Sequence, residues 1–273
     1  MILFSNCKIN LGLHILDKRP DGYHNLETVF YPVKWFDALE IIQNDPLKND
    51  EFNLQASGIN LAINKQENHC YKAYYLLKKD FPHLPSITLH LHKTIPFGAG
   101  LGGGSANAAF TLLLLNKKFR LGLNSNQLEK YALAIGSDCP FFIKNIPCLA
   151  TGRGEVFSPI TLALSQYKIV IINPQIHIAT GWAFSQLKKR ETRVSIAQAI
   201  EQPIETWKEN LTNDFEEPIF EAHPEIKNIK DQLYQSGALY ASLSGSGSSV
   251  FGIFNSEVQP SLNLPQQYLM KEC

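Results

Sequence analysis

Glycine is concentrated in one short stretch of the chain, Pro96-Phe-Gly-Ala-Gly-Leu-Gly-Gly-Gly-Ser105. Glycine allows the backbone to come close to a ligand, and the N–H groups of such a loop and of a following helix can converge on an anion. One or two glycines would be enough for a tight turn that binds nothing. The stretch contains five, and it therefore predicts a loop that binds phosphate groups.

Two common phosphate-loop classes fit this stretch poorly. Residues 98–103 satisfy the dinucleotide pattern G-x-G-x-x-G, but that class needs an acidic residue about 20 positions later. No Asp or Glu occurs from Ser105 to Leu128. The P-loop pattern G-x-x-x-x-G-K-[ST] is absent, as are the His-Arg-Asp and Asp-Phe-Gly elements of protein kinases. A different class of phosphate-binding protein is indicated.

Three stretches, taken in order, resemble the signatures of the GHMP small-molecule kinases. They are Lys8-Ile-Asn-Leu-Gly-Leu13, residues 96–109 and Leu243-Ser-Gly-Ser-Gly-Ser-Ser-Val250. The resemblance implies an enzyme that uses ATP and Mg²⁺ to phosphorylate the hydroxyl of a small molecule. It also implies an α+β fold of two domains, an N-terminal nucleotide-loop domain at residues 1–157 and a C-terminal ferredoxin-like domain at residues 158–273.

The resemblance assigns the chemical step to Asp138 and Lys8. Phosphoryl transfer requires a hydroxyl held in line, an acceptor for its proton and stabilisation of the developing charge. Asp138 follows the end of a predicted helix and would act as general base, and Lys8 would supply positive charge. Asn10 shares a strand face with Lys8, because side chains alternate along a strand, and it is expected to bind the substrate.

The nucleotide is expected on the glycine-rich stretch. By resemblance, its contacts would be Pro96, Gly98, Gly100, Leu101, Gly102, Gly103, Gly104 and Ser105. Asn68 is similar to the family position near the adenine. Both polar residues have a structural alternative, because Ser105 and Asn68 each precede a predicted helical segment and could act as its N-cap.

Further stretches resemble one branch of the family, whose substrate alcohol is joined to a cytidine diphosphate. They are Arg19-Pro-Asp-Gly-Tyr-His24, Gly136-Ser-Asp-Cys-Pro-Phe-Phe142 and Thr151-Gly-Arg-Gly-Glu155. Another member, such as a homoserine or mevalonate kinase, would leave the Tyr-His pair unexplained. A regulatory protein that keeps the fold without turnover is a third reading, which the presence of both Lys8 and Asp138 disfavours.

Four residues are the candidates for recognising that substrate. Tyr23 would stack on the cytosine while His24 forms a hydrogen bond with its edge. By resemblance, Phe184 would cover the opposite face of the ring, and Thr180 would contact the substrate from the same stretch. An ordinary role for Phe184 in a hydrophobic core is an equally open interpretation.

Hydrophobic spacing and turn residues predict the elements that position these groups. Strands are predicted at residues 9–16, 38–42, 87–95 and 167–172, and helices at 68–79, 106–117 and 124–136. A turn at Asp21-Gly22, one or more helices across 182–235 and a strand pair flanking 245–249 complete the pattern. Residues 157–165 interrupt it and are the predicted domain boundary.

The composition excludes several function classes. The chain has 273 residues, and its 25 basic residues balance 25 acidic ones, so no charge excess points to nucleic acid or an anionic membrane. Five scattered cysteines without a Cys-x-x-Cys pair favour neither a disulfide framework nor a zinc site. No signal-peptide pattern begins the chain, and no apolar run approaches the roughly 20 residues that span a bilayer. We therefore expect a cytoplasmic enzyme with a small-molecule substrate.

Overall fold

A computed structural model describes residues 1–45, 51–59, 64–187 and 194–273. The strands are β1 (Ile2–Lys18), β2 (His24–Gln43), β3 (Phe52–Gly58), β4 (Ile87–Lys93), β5 (Cys148–Thr151), β6 (Val156–Pro159), β7 (Tyr167–Asn173), β8 (Tyr240–Leu243), β9 (Val250–Asn255) and β10 (Leu269–Glu272). The helices are α1 (His69–Asp80), α2 (Gly103–Phe119), α3 (Ser125–Ile135), α4 (Phe141–Lys144), α5 (Thr180–Ser185), α6 (Ile196–Ile200), α7 (Trp207–Asn210), α8 (Glu216–Ala222) and α9 (Pro224–Gln235). No helix of the described residues is long and apolar enough to cross a membrane.

The first of two compact units comprises Met1–Cys7, Lys34–Phe97 and Gly102–Ile146. In it, the second half of β2 pairs antiparallel with β4, and β3 pairs parallel with β4. Helices α1, α2 and α3 pack on one another, and their apolar side chains share a core with those of the strands. Helix α2 is apolar on most of its surface because it lies inside this core.

Two asparagines fix where helices of this unit begin. The side chain of Asn68 accepts a hydrogen bond from the Cys70 N–H at 2.8 Å and caps α1. Asn124 and Gln127 form a reciprocal capping box at the start of α3. Such caps satisfy N–H groups that have no partner within the helix. The predicted starts of these two helices are confirmed.

The second unit comprises Lys8–Val33, Gly98–Leu101 and Pro147–Cys273. Its β1 and β2 are joined by a tight turn in which the Arg19 N–H donates to the Tyr23 carbonyl at 2.7 Å. Strand β5 pairs antiparallel with the first half of β2 and with β6. A separate antiparallel sheet has the order β10-β7-β9-β8, and α9 packs against β8 and β9. Antiparallel strands with packed helices confirm the α+β class.

The division into units does not follow a single point in the sequence. The unit that contains residues 147–273 also contains residues 8–33. Strands β1 and β2 therefore each belong partly to one unit and partly to the other. The expected division of the chain between residues 157 and 158 stays a prediction. Residues 188–193, inside the region predicted to be helical, lie outside the described residues.

Helix α2 begins three residues before its predicted start at residue 106. Gly102 adopts a φ of +67° immediately before it, a left-handed conformation that glycine takes at little cost, and turns the chain into the helix. Ser105 consequently lies inside the first turn, and the interpretation of Ser105 as the N-cap is wrong.

Candidate functional site

The Lys8 side chain is buried and held by hydrogen bonds within the second unit. Only 3% of Lys8 is exposed, and its Nζ donates to Asn10 Oδ1 at 2.5 Å and to the Gly100 carbonyl at 3.1 Å. The ammonium also lies 4.9 Å from the centroid of the Phe30 ring. Burying a charge is costly unless it is hydrogen-bonded, so these contacts fix the ammonium in one position.

The Asn10 side chain is hydrogen-bonded to Lys8 and orients it. While its Oδ1 accepts from Lys8, its Nδ2 donates to Thr28 Oγ1 at 3.0 Å, and that hydroxyl donates to the Gly12 carbonyl at 2.6 Å. Asn10 is itself 2% exposed. The side chain predicted to bind substrate is therefore part of a buried chain of hydrogen bonds that orients the lysine.

Residues Gly98–Leu101 of the glycine-rich stretch lie in the second unit and are hydrogen-bonded to the third signature, Leu243 to Val250. The Gly100 carbonyl accepts a hydrogen bond from Ser244 Oγ at 2.9 Å, and the Ala99 carbonyl accepts one from the Ser249 N–H at 3.2 Å. The Lys8 N–H donates to the Leu101 carbonyl at 3.0 Å. These bonds bring together three sequence stretches that lie far apart in the chain.

Gly100 is required by this close approach. Its φ is +76°, and a Cβ added there would lie 1.9 Å from the Ser244 carbonyl oxygen. Any other residue would have to push the two loops apart. Beside it, Asn213 donates from Nδ2 to the Leu243 and Gly245 carbonyls at 2.8 and 2.9 Å and so holds the second loop in shape.

The remaining residues of the stretch belong to the first unit. Pro96 follows β4 and is buried, whereas Phe97 is 57% exposed. Gly103 and Gly104 begin α2, and Gly102 supplies no side-chain cap. Gly103 is glycine for a packing reason, because an added Cβ would lie 2.9 Å from Ile95 Cγ2.

A small cavity of about 40 Å³ lies beside the start of α2 in the same unit. Its lining includes Asn68, His69, Lys93, Phe97 and Gly104. Asn68 caps α1 through its Oδ1, and its side chain also borders this cavity. Its expected place near the adenine stays a prediction.

Asp138 lies in the turn that joins α3 to α4 and is half-buried. This turn is closed by the Cys139 N–H, which donates to the Gly136 carbonyl at 3.1 Å. Burial raises the pKa of the Cys139 thiol to about 12, although a hydrogen bond from Ser105 opposes the shift. The thiol is thus an inert packing group that connects the turn of Asp138 to the first turn of α2.

Tyr23 stands at the turn between β1 and β2 and is 58% exposed. The Arg153 guanidinium lies 4.9 Å from the centroid of its ring. Arg153 is held in turn by Glu155, whose Oε1 lies 3.4 Å from Arg153 Nε. The ring is thereby supported on one face by a cation.

His24 and Phe184 lie face to face in the second unit. Their ring centroids are 5.1 Å apart and their planes differ by 18°. Phe184 also meets the buried Phe215 edge-on at 4.9 Å. Phe184 is half-buried and borders the hydrophobic core, as its interpretation as a core residue expects. It also lies beside His24, the other residue of this pair that is assigned to the cytosine.

Thr180 begins α5, and its hydroxyl lies 3.3 Å from that of Ser246. Thr180 is exposed, and Ser246 belongs to the loop of the third signature. Across the described parts of the chain, no three His, Cys, Asp or Glu side chains group together as metal ligands.

Sequence reasoning missed Ser244 and Arg153 as parts of this arrangement. Both lie in stretches that carried the family resemblance, Leu243 to Val250 and Thr151 to Glu155, so the stretches were flagged although their individual roles were not. His69, which borders the cavity, gave no signal, because a lone histidine at the start of a helix has no distinctive spacing.

Two family models match the chain. The model of the GHMP kinases N terminal domain covers residues 68–145, and the model of the GHMP kinases C terminal covers residues 195–262. The class of protein that the fold and the glycine loops define is thus the GHMP small-molecule kinases.

Individual relatives narrow this class. A 4-diphosphocytidyl-2-C-methyl-D-erythritol kinase from Bacteroides thetaiotaomicron is 53% identical over 94% of this chain and 93% of its own length. One of the same name from Cytophaga hutchinsonii is 50% identical over 94% and 93%. The chain belongs to the family of the 4-diphosphocytidyl-2-C-methyl-D-erythritol kinases.

Solved structures agree on the fold. A crystal structure of 4-(cytidine 5'-diphospho)-2C-methyl-D-erythritol kinase matches with a TM-score of 0.78 and 29% identity, covering 93% of this chain and 90% of that one. The mevalonate kinase of Methanococcus jannaschii matches with a TM-score of 0.69 and 16% identity, covering 94% and 92%. The expected GHMP kinase fold is confirmed.

Proposed function

We propose that this enzyme transfers the γ-phosphoryl group of ATP to the 2-hydroxyl of 4-diphosphocytidyl-2-C-methyl-D-erythritol, a step in the formation of isoprenoid precursors without mevalonate. The observation that carries the proposal is the 53% identity to a kinase of that name over nearly the whole chain. The buried group of Lys8, Asn10 and the Gly100 carbonyl, called the Lys8 cluster below, supports it. A fixed cation is what a transferring phosphoryl group requires.

The start of α2 fits the phosphates of ATP. Because Gly102 has no side chain, it cannot cap the N–H groups of the first turn, and Gly103 and Gly104 present their N–H groups on backbone without bulky side chains. The positive end of the helix dipole lies at the same place. Phosphate oxygens are the natural acceptors for these groups.

Magnesium fits as a partner of ATP rather than as a resident ion. Mg²⁺ keeps several waters and is commonly bound by nucleotide phosphates with one or two protein oxygens. The described residues contain no cluster of three metal-binding side chains, which agrees with that mode. When bound, the ion would neutralise charge on the phosphates.

Asp138 and Lys8 divide the chemical work in this proposal. Asp138, whose carboxylate stands in the short turn between α3 and α4, accepts the proton of the attacking hydroxyl. Lys8 stabilises the negative charge of the phosphoryl oxygens during transfer, and Asn10 with the Gly100 carbonyl keeps its ammonium oriented.

Tyr23, His24 and Phe184 recognise the cytosine. His24 and Phe184 stack on each other, so two of the side chains assigned to the cytosine already lie together. Tyr23 has more than half of its surface free to cover a ring. We also propose that the enzyme works in the reducing cytoplasm, because its five cysteines are thiols rather than members of disulfides.

Ligand-induced thermal stabilisation tests which nucleobase the substrate site accepts. The protein should be stabilised by cytidine diphosphate and much less by uridine diphosphate, because position 4 of the pyrimidine changes from an amino donor to a carbonyl acceptor. One buried mismatch of this kind costs on the order of 1–3 kcal/mol. Equal stabilisation by both nucleotides would remove the cytosine-specific part of the proposal.

A further inference from the structure

Asp37 is a buried carboxylate in β2 to which the proposed chemistry gives no role. Its Oδ1 accepts hydrogen bonds from the Thr94 N–H at 2.7 Å and from the Ile95 N–H at 2.9 Å. Its Oδ2 accepts from the Lys93 ammonium and, at 2.9 Å, from Asn107 Nδ2. Both carboxylate oxygens are therefore engaged, as the burial of a charge requires.

The partners of this carboxylate stand at the two ends of the glycine-rich stretch. Thr94 and Ile95 directly precede Pro96, and Asn107 lies one turn into α2, the helix that follows the stretch. The two backbone bonds fix the chain where it enters the stretch, and the amide bond fixes the helix into which it continues. Both ends belong to the first unit, so one side chain sets their spacing.

The Lys93 ammonium that pairs with Asp37 lies beside the first residue of α2. A Cβ added to Gly103 would lie 3.1 Å from Lys93 Nζ, and both charged side chains are buried. A helix start is the positive end of the helix dipole, so an unpaired cation at this place would be unfavourable. Asp37 supplies the opposite charge, and the helix start can therefore keep its conformation before any anion binds.

Stability alone explains this buried ion pair poorly. A well-packed apolar pair of similar volume often stabilises a core as much or more. An apolar side chain, however, could not accept hydrogen bonds from groups on both sides of the glycine-rich stretch. The arrangement therefore fixes positions, and the positions that it fixes are those of a loop expected to bind phosphate.

We propose that Asp37 is a positioning residue for the phosphates of the nucleotide. It holds the chain before Pro96 and the start of α2 in the relative position at which the N–H groups of Gly103 and Gly104 converge on a phosphate. The inference rests on the proposed use of ATP. Donors that are fixed in advance bind an anion without first being ordered. Loss of the carboxylate should therefore reduce the affinity for ATP.

Two variants loosen this arrangement to different extents. Asp37→Asn has one acceptor oxygen in place of two, so it cannot serve the backbone N–H groups and the Asn107 amide at once. Asn107→Leu keeps the ion pair with Lys93 and removes the bond between the carboxylate and α2. Ser5→Ala is the matched control, because it removes a hydrogen bond from the same buried Asn107 amide, at 2.8 Å, and leaves the Asp37 carboxylate intact.

Calorimetry would give the dissociation constants for ATP and cytidine diphosphate, measured well below the melting temperature of each variant. We expect Asp37→Asn to weaken ATP about tenfold or more and Asn107→Leu about three- to tenfold, the scale of losing one or two hydrogen bonds. Ser5→Ala should bind ATP as wild type does, although its melting temperature falls. All three should bind cytidine diphosphate as wild type does, because the residues assigned to the cytosine belong to the second unit.

Two results overturn the inference. One is a folded Asp37→Asn variant whose ATP affinity lies within about twofold of wild type. The other is a loss of ATP affinity that follows the loss of melting temperature in all three variants, the control included, which is the mark of a structural role. If Asp37→Asn does not fold, weaker ATP binding by Asn107→Leu than by Ser5→Ala supports the inference, and equal binding contradicts it.

The proposed function can fail separately. Because ATP binding needs no acceptor alcohol, a wild-type protein that binds ATP but does not phosphorylate the cytidine substrate overturns the proposed function alone. A wild-type protein that binds no cytidine diphosphate removes the cytosine-specific part, and the ATP affinities of Asn107→Leu and Ser5→Ala still decide the inference. A wild-type protein that binds no ATP overturns both.

Discussion

The Lys8 cluster and the aromatic group of Tyr23, His24 and Phe184 belong to the same unit but are built in opposite ways. Lys8 is 3% exposed and hydrogen-bonded to Asn10 and Gly100, whereas Tyr23 is 58% exposed. A cation that stabilises a developing charge must be fixed before the reaction begins, since reorientation would cost free energy during it. The exposed ring of Tyr23, by contrast, would gain burial only when a base covers it.

This difference predicts that substitutions in the two groups change different quantities, turnover in one and substrate binding in the other. Changes in the Lys8 cluster should lower turnover while substrate binding persists, and changes in the aromatic group should weaken substrate binding more than they lower turnover. Each of the following substitutions tests one side of that division.

Lys8→Met should have the largest effect. The side chain keeps its volume in a buried position but loses the charge, and we expect kcat to fall about 10²- to 10³-fold, the usual scale for removing one fixed electrostatic group. Steady-state ADP release measures this, with Lys144→Met as control, because Lys144 is an exposed lysine paired with Glu129. A kcat within a few-fold of wild type would show that Lys8 is only structural.

Asp138→Asn should lower kcat about 10²-fold, within the range for loss of an acid–base group, and leave ATP affinity nearly unchanged. The amide preserves the shape of the turn between α3 and α4 but cannot accept the proton. Turnover and calorimetric ATP binding would be measured on the same preparation. Near-normal turnover would assign the general base to another residue.

Tyr23→Ala should weaken the cytidine substrate by about 1–3 kcal/mol, the scale of aromatic stacking on a base. Because Tyr23 is exposed and at a turn, the melting temperature should change little. Substrate affinity, ATP affinity and melting temperature would be compared with those of wild type. A loss confined to kcat would contradict the division of roles.

Arg153→Ala should have the smallest effect. Its guanidinium supports one face of the Tyr23 ring, and an exposed contact of this kind is worth about 0.5–1 kcal/mol. We expect a two- to five-fold weaker cytidine substrate and an unchanged kcat. Lys118→Ala is the matched control, because its ammonium lies 5.8 Å from the ring of Phe119, outside the aromatic group. An unchanged substrate affinity would show that Tyr23 needs no support.

Local elements of the fold were predictable because their signals are local. Asn68 and Asn124 mark helix starts through caps that involve only two or three neighbouring residues. The predicted start of α2 was wrong because the true start depends on the backbone conformation of Gly102. Glycine can adopt that left-handed conformation but does not have to, so the residue type alone does not predict it. Strand β1 is longer than the apolar stretch that predicted it, because it extends into exposed residues at both ends.

The arrangement of the site depends on distant pairs, which no spacing rule reveals. Ser244 contacts the Gly100 carbonyl across 144 positions of sequence, and Lys8 contacts the same carbonyl across 92. The family resemblance indicated that these stretches matter. That Asn10 would hold Lys8 followed only from the three-dimensional structure.

Acceptor specificity tests the central claim most directly. ADP release would be followed with ATP, Mg²⁺ and either 4-diphosphocytidyl-2-C-methyl-D-erythritol, mevalonate or homoserine, and ³¹P NMR would locate the new phosphate. We predict rapid turnover with the cytidine substrate alone and a phosphomonoester on its 2-hydroxyl. Turnover of mevalonate or homoserine without turnover of the cytidine substrate would contradict the account.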